Sequence, residues 1–229
     1  DTKASEAIVY DYNTQEIIFE KQSNKLSIPA SMTKIMTVYA VFDRIQNTSL
    51  SIDDKCSVSA KAFRMGGSRM FLEREDRVTI DDLLRGIVIQ SGNDASVAIA
   101  ECLSGTEEDF ALLMNSYANS LGLKNTNFIN ASGWPNENHY STVKDIMLVS
   151  EALIRNFPDF YGYFKEREFT YNNIRQLNRN VLLRRVDGSD GLKTGFTRNS
   201  GWGIAASAIR EDRRIIVVIN GTNSSRTRA

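Results

Sequence analysis

The sequence predicts an α/β chain of the α+β kind: one antiparallel sheet built from both chain ends and flanked by helices, with an all-helical lobe inserted between its halves. Three observations carry this. Apolar residues alternate with period two near the start and again from residue 168 onward. Between about residues 81 and 157 the apolar period is helical. No internal repeat or low-complexity linker divides the 229 residues, a length that suits one domain with two lobes. The expected division is a single domain over 1–229, with a sheet lobe of about 1–60 and 160–229 and a helical lobe of about 61–159.

Residues 7–21, AIVYDYNTQEIIFEK, read as two strands joined through Asn13-Thr14, a hairpin. The run IPASMTKIMTVYAVF follows, and Pro29 and Ser31 suit a helix start near 29–31. Its apolar residues point in almost every direction, so the helix, reaching about Gln46, is expected to be buried. Residues 51–58 end in a short strand, and 61–79 hold Gly66-Gly67 and an expected packed patch of Met70, Phe71 and Leu72. DDLLRGIVIQ has an acidic start and helical spacing. Ser91-Gly92-Asn93-Asp94 breaks it, and 95–103 resumes as a helix. Thr106 to Asp109 resembles a capping box opening the next helix, whose stripe is Phe110, Leu113, Tyr117 and Leu121. Residues 130–138 form a loop with Trp134-Pro135, and 142–157 form an amphipathic helix stopped by Pro158. Residues 168–171 and 191–197 read as strands, and 202–209 pairs with 214–220 around the charged turn 210–213.

Composition excludes several function classes. Lys plus Arg equals Asp plus Glu at 28 each with no long basic block, which argues against a nucleic-acid binder. No apolar run is long enough to span a membrane, and no signal peptide is present; a start at Asp1 without Met reads as a processed or trimmed product. Cys56 and Cys102 could be bridged or could be single buried thiols. A single histidine, His139, and no Cys-x-x-Cys spacing leave no metal site, and no cofactor is expected. His139 stands in the polar loop NENHYS, where a surface or hydrogen-bonding role is expected in preference to a general base. A hydrolase here would use lysine as its base.

The only charge in the buried run is Lys34, three residues after Ser31 and so beside it on a helix. Burial disfavours an ammonium, so the lysine must find partners, reach solvent or lose its proton. A deprotonated lysine beside a serine hydroxyl is a base-nucleophile pair; the plainer reading is a capping serine and a snorkelling lysine. Two later tripeptides bear on the choice. Ser91-Gly92-Asn93 could be a plain turn, or a proton-relaying hydroxyl and a substrate-holding amide. Lys193-Thr194-Gly195 could be an edge strand with a solvated lysine. Alternatively its lysine supplies a positive field, its threonine binds a carboxylate and its glycine admits a substrate backbone.

In this order Ser31-x-x-Lys34 and the two tripeptides resemble the S-x-x-K, S-D-N and K-T-G signature of penicillin-binding proteins and class A β-lactamases, with the middle triad as S-G-N. PASMTKIMT, LLRGIVIQSGNDASVAIAE, NHYSTVKDI, EFTYNNIRQLNRNVLL and DGLKTGFT are similar, over nearly the whole chain, to serine-type D-alanyl-D-alanine carboxypeptidases, the low-molecular-mass penicillin-binding proteins. The resemblance implies a β-lactamase/penicillin-binding-protein-like fold and removal of the terminal D-alanine from peptidoglycan stem pentapeptides. Ser31 would be the nucleophile, Lys34 its base kept neutral with help from Lys193, and Ser91 the proton donor to the leaving D-alanine. Asn93 would hold the peptide, the backbone N–H groups of Ser31 and Phe196 would form the oxyanion hole, and Thr194 and Arg226 would bind the terminal carboxylate beside Gly195. β-Lactam antibiotics would acylate Ser31 and leave slowly.

The alternatives are a peptidoglycan endopeptidase using the same site, a sensor without turnover, and a β-lactamase. The last needs a deacylating glutamate in an E-x-x-x-N loop, and the only such spacing, Glu168 to Asn172, reads as strand. The resemblance also implies an extracytoplasmic protein whose signal peptide has been removed. Family members commonly continue into a β-rich second domain and an amphipathic membrane anchor. The chain stops at Ala229 within the catalytic domain, so the second domain is read as absent and membrane attachment would require an anchor outside this sequence.

Overall fold

Alternating strands at both chain ends assemble into one five-stranded antiparallel sheet, in which the N-terminal hairpin lies beside three strands from the C-terminal end. The computed structural model describes residues 2–228. β1 (Glu6–Asp11) and β2 (Glu16–Lys21) form the expected hairpin. β7 (Ser189–Thr197), β8 (Gly201–Arg210) and β9 (Arg213–Thr222) form a meander whose last strand pairs with β1. β7 carries Lys193-Thr194-Gly195 and is an edge strand, so one side of its backbone ladder stays free for another chain.

The buried run forms a 3-10 turn, Ala30–Thr33, continuing into α1 (Lys34–Asn47). Every residue from Met32 to Phe42 is buried, as an all-round apolar helix requires. Its neighbours are α4 (Asn93–Ser104), α5 (Glu107–Ser120) and α6 (Val143–Asn156). The small helices α2 (Ala60–Phe63) and α3 (Ile80–Arg85) complete the helical layer. Thr79, Thr106 and Thr142 cap α3, α5 and α6, each accepting from the backbone N–H three residues on. Short turns of helix occur late in the chain as α7 (Leu182–Arg185) and α8 (Ser225–Arg228). No helix among the described residues is long and apolar enough to cross a membrane.

Several expectations change. α6 packs on β9 and β1, so it lies on the sheet and not in the inserted lobe. Its amphipathic stripe could have faced either layer, and periodicity does not choose between them. The strand at Glu168–Tyr171 (β5) stands outside the main sheet, pairing with β6 (Ile174–Leu177) in a separate hairpin. β3 (Lys55–Ser57) pairs with β4 (Arg77–Thr79), a strand too short to show alternation. Met70 and Leu72 are buried, whereas Phe71 is 42% exposed. The backbone N–H groups of Met70, Phe71 and Leu72 all donate to the Asp94 carboxylate, and Phe71 takes a left-handed φ of 69°. That curl turns one ring outward while it anchors the segment to the start of α4. Cys56 and Cys102, left open from the sequence, form a disulfide tying β3 to α4.

Candidate active site

Ser31 sits in the 3-10 turn, preceded by Ala30 at a left-handed φ of 49°, the uncommon backbone that gathers at functional sites. The Lys34 ammonium position is fully buried and has three partners: Ser31 Oγ at 3.0 Å, Asn93 Oδ1 at 2.7 Å and the Ser132 carbonyl at 2.6 Å. An amide oxygen and a carbonyl can only accept, so each takes one N–H of Lys34. A neutral amine has two hydrogens and one lone pair, and the third direction points at Ser31. The hydroxyl therefore donates to Lys34 when the lysine is neutral. Burial, followed by repulsion from Arg179, lowers the Lys34 pKa from 10.5 to about 7.

The loop behind Lys34 is built around Asn130, whose Oδ1 accepts from the backbone N–H groups of Ser132, Gly133 and Trp134. Thr37 ties the loop to α1 by donating to the Ala131 carbonyl at 2.6 Å. His139 braces it from below: its Nδ1 accepts from the Ile129 N–H, so the neutral ring carries its proton on Nε2, 2.8 Å from Thr33 Oγ1. The ring is buried, not on the surface, and its hydrogen-bond partners are Thr33 and Ile129, not Ser31, so it is a structural group. Burial and the nearby Lys34 depress its pKa from 6.5 to about 4. Between those values the unfolded chain binds a proton that the folded chain resists, so stability falls as pH falls through that window. The loss amounts to about 3 kcal/mol. In urea titrations at pH 7 and pH 4, His139→Gln should show a pH-dependent loss smaller by about that amount. Equal losses in both proteins would exclude His139 as the source.

Ser91 follows a π-helical turn, Gly86–Gln90, and has a left-handed φ of 66°. π-turns recur at functional sites because they swing following residues out of helical register. Ser91 and Thr194 line one hollow of about 340 Å³ with Ser31, Gly195, Phe196, Arg179 and Arg228. A second hollow of about 530 Å³ shares Ser31, Ser68, Arg179 and Phe196, and adds Asn93, Trp134, Pro135 and Arg198. The two are arms of one groove passing over Ser31. Phe196, 47% exposed, leans on Trp202 at a ring separation of 4.1 Å and forms part of the wall of both.

A family profile described as D-alanyl-D-alanine carboxypeptidase matches residues 1–224. The chain belongs to that family. It is 40% identical over 228 residues to D-alanyl-D-alanine carboxypeptidase DacC of Escherichia coli, covering 96% of this chain and 57% of that protein. Its fold matches penicillin binding protein 6B of Escherichia coli with a TM-score of 0.95 at 37% identity, covering all of this chain and 74% of that one. Penicillin-Binding Protein D2 of Listeria monocytogenes, in its ampicillin-bound form, matches with a TM-score of 0.90 at 29% identity, over 99% and 93% of the two chains. The chain spans less than two thirds of the length of the curated carboxypeptidases it matches.

The expected residues Ser31, Lys34, Ser91, Asn93, Thr194, Gly195 and Phe196 meet at the groove or directly behind it. Four details depart from expectation. Arg226 is exposed and outside the groove lining, and Arg228 stands at Thr194 instead. Two steps along a helical turn rotate a side chain about 200°, so α8 points one arginine outward and the other inward. Lys193 is buried, and burial followed by Lys34 pushes its pKa well down, so it lies behind the groove while Arg179 and Arg228 line it. The leading repulsion acting on Lys34 comes from Arg179, which the sequence did not single out, and it adds to the mutual repulsion between the Lys34 and Lys193 ammonium forms. Gly195 is needed on the protein side: a Cβ there would lie 2.9 Å from the Pro29 carbonyl, so β7 can press against the nucleophile's turn.

Sequence reading missed Arg179, Arg228, Ser68 and the Ser132 carbonyl. The pairing of Asn130 with Gly133 was a visible turn signal, but nothing local ties it to Lys34, 98 positions away from Ser132. Glu168 is bonded to Arg175 in the β5–β6 hairpin and does not line the groove.

Proposed function

We propose that this chain is a single catalytic domain of a serine-type D-alanyl-D-alanine carboxypeptidase that trims peptidoglycan stem peptides. The observation that carries the reading is the partner set of Lys34, two fixed acceptors and the Ser31 hydroxyl. Neutral Lys34 takes the Ser31 proton as Oγ attacks the carbonyl carbon of the penultimate D-alanine. The backbone N–H groups of Ser31 and Phe196 stabilise the oxyanion. The peptide C–N bond then breaks, and Ser91 delivers a proton to the departing amine. Thr194 and Arg228 hold the terminal carboxylate; the Arg228 Nε is buried and has no hydrogen-bond partner among the described residues, a donor suited to an arriving anion. Lys193 lies under this end, and an incoming carboxylate would favour its ammonium form. Asn93 lies beside the acyl-donor peptide, though its amide now serves Lys34 and the Gly66 carbonyl.

Water finally attacks the acyl-enzyme, releasing the shortened peptide and regenerating Ser31. A β-lactam acylates the same serine, but its leaving nitrogen stays tethered in the groove and bars that water. Among the described residues no Asp or Glu lines either arm to activate it, which supports the carboxypeptidase reading over a β-lactamase. Peptidoglycan lies outside the cytoplasmic membrane, so the activity is extracytoplasmic on this reading.

The test offers the protein a labelled penicillin and, separately, an acetylated peptide ending in D-Ala-D-Ala. Release of one D-alanine per peptide and a penicillin adduct on the fragment carrying Ser31 are expected. An adduct on another residue would remove Ser31 as nucleophile. An adduct without D-alanine release would indicate a sensor or endopeptidase, and rapid loss of the adduct a β-lactamase.

A further inference from the structure

The groove is electrostatically lopsided in a chain whose formal charges cancel. Arg179, Arg198 and Arg228 line its two arms, and no Asp or Glu among the described residues does. Arg179 and Arg198 make no ion pair with a carboxylate among the described residues; Arg179 instead meets the Gln90 amide oxygen at 3.3 Å. On the reading proposed above, the terminal carboxylate of the substrate occupies the arm at Thr194 and Arg228. That leaves Arg198 unmatched in the other arm, which it lines together with Trp134, a ring that packs over Gly66 and Gly67. A Cβ on Gly67 would fall 2.9 Å from Asn93 Nδ2 and 3.3 Å from the Trp134 ring, so the bare backbone there makes room for both.

We propose that this second arm selects the stem-peptide residue immediately before D-Ala-D-Ala by charge. It takes a side chain with an aliphatic stem ending in a carboxylate, and disfavours one ending in a lone ammonium. Trp134 covers the stem and Arg198 meets the carboxylate. The mechanism is a cation held at the rim of a groove with no carboxylate among its described lining residues, an arrangement that favours an arriving anion over an arriving cation. This proposal rests on the carboxypeptidase reading for the direction in which the peptide lies.

The test uses three acetylated peptides ending in D-Ala-D-Ala whose preceding residue is 2-aminoadipate, norleucine or lysine, side chains of similar length and different charge. D-Alanine release should be fastest for aminoadipate and slowest for lysine, with kcat/KM spread by about tenfold between the extremes. The spread should shrink at high salt, because the arginine is exposed. Arg198→Glu should reverse the order, a result that misfolding cannot produce. An unchanged order in Arg198→Glu, or equal rates for the three peptides with wild type, overturns the proposal. Absence of D-alanine release from all three would instead reject the carboxypeptidase reading, and penicillin acylation of the same samples would show that the site is intact.

Discussion

Lys34→Met lowers the rate at which penicillin acylates Ser31 by about 10²–10⁴-fold, the usual contribution of a positioned general base. Methionine matches the volume of lysine in a fully buried position but offers no lone pair of comparable basicity. Lys34→Arg is the sharper variant. Its guanidinium keeps its proton, so it preserves charge and removes the base. If Lys34 served only as a positive charge beside Ser31, arginine would retain much of the rate; if it is the base, both variants fail alike. The wild-type pH profile reports on the same group. With a pKa brought down to about 7, the neutral amine is the minor form below that value. Acylation should therefore rise about tenfold per pH unit as pH climbs toward 7 and then level off. A wild-type profile that is flat from pH 5 to 9 would exclude Lys34 as the base.

The Gly133→Ala variant should lose about 2–5 kcal/mol of stability and most of its acylation rate together. Gly133 has φ 76°, and a Cβ there would stand 1.9 Å from the Ala30 carbonyl oxygen and 2.9 Å from Thr33 Oγ1. Neither atom can move alone, because Ala30 precedes the nucleophile and Thr33 is held by His139. The loop must retreat instead, carrying the Ser132 carbonyl away from Lys34. That carbonyl is one of the two acceptors that aim the amine's lone pair, so a fold defect becomes a chemical one. Gly162→Ala is the control, since a Cβ there meets nothing within 4 Å. Urea midpoints and penicillin-acylation rates of the two variants decide the matter. Comparable stability losses in both would show that the contact at Ala30 is not what Gly133 serves.

Ser31, Lys34 and their spacing were legible in the sequence because a helix brings i and i+3 together by local geometry alone, and an apolar run around one lysine announces a buried amine. The same locality made the hairpin, the capped helices and the final meander readable from their periods. Tertiary structure decided what period does not encode. Whether α6 covered the sheet or joined the helical lobe, and whether β5 entered the main sheet, depended on partners far along the chain. Arg228 replaced Arg226 at Thr194 because one helical turn selects which side chain faces inward, and only packing sets the phase of that turn. The proton-accepting state of Lys34 has the same origin. Its burial and its proximity to Ser31 follow from the run IPASMTKIMTVYAVF, but the Asn93 and Ser132 oxygens that orient its lone pair arrive from 59 and 98 positions away. Which residues could do the chemistry was written in the order of side chains; which way their protons point came from the fold, because hydrogen-bond direction is set by neighbours in space.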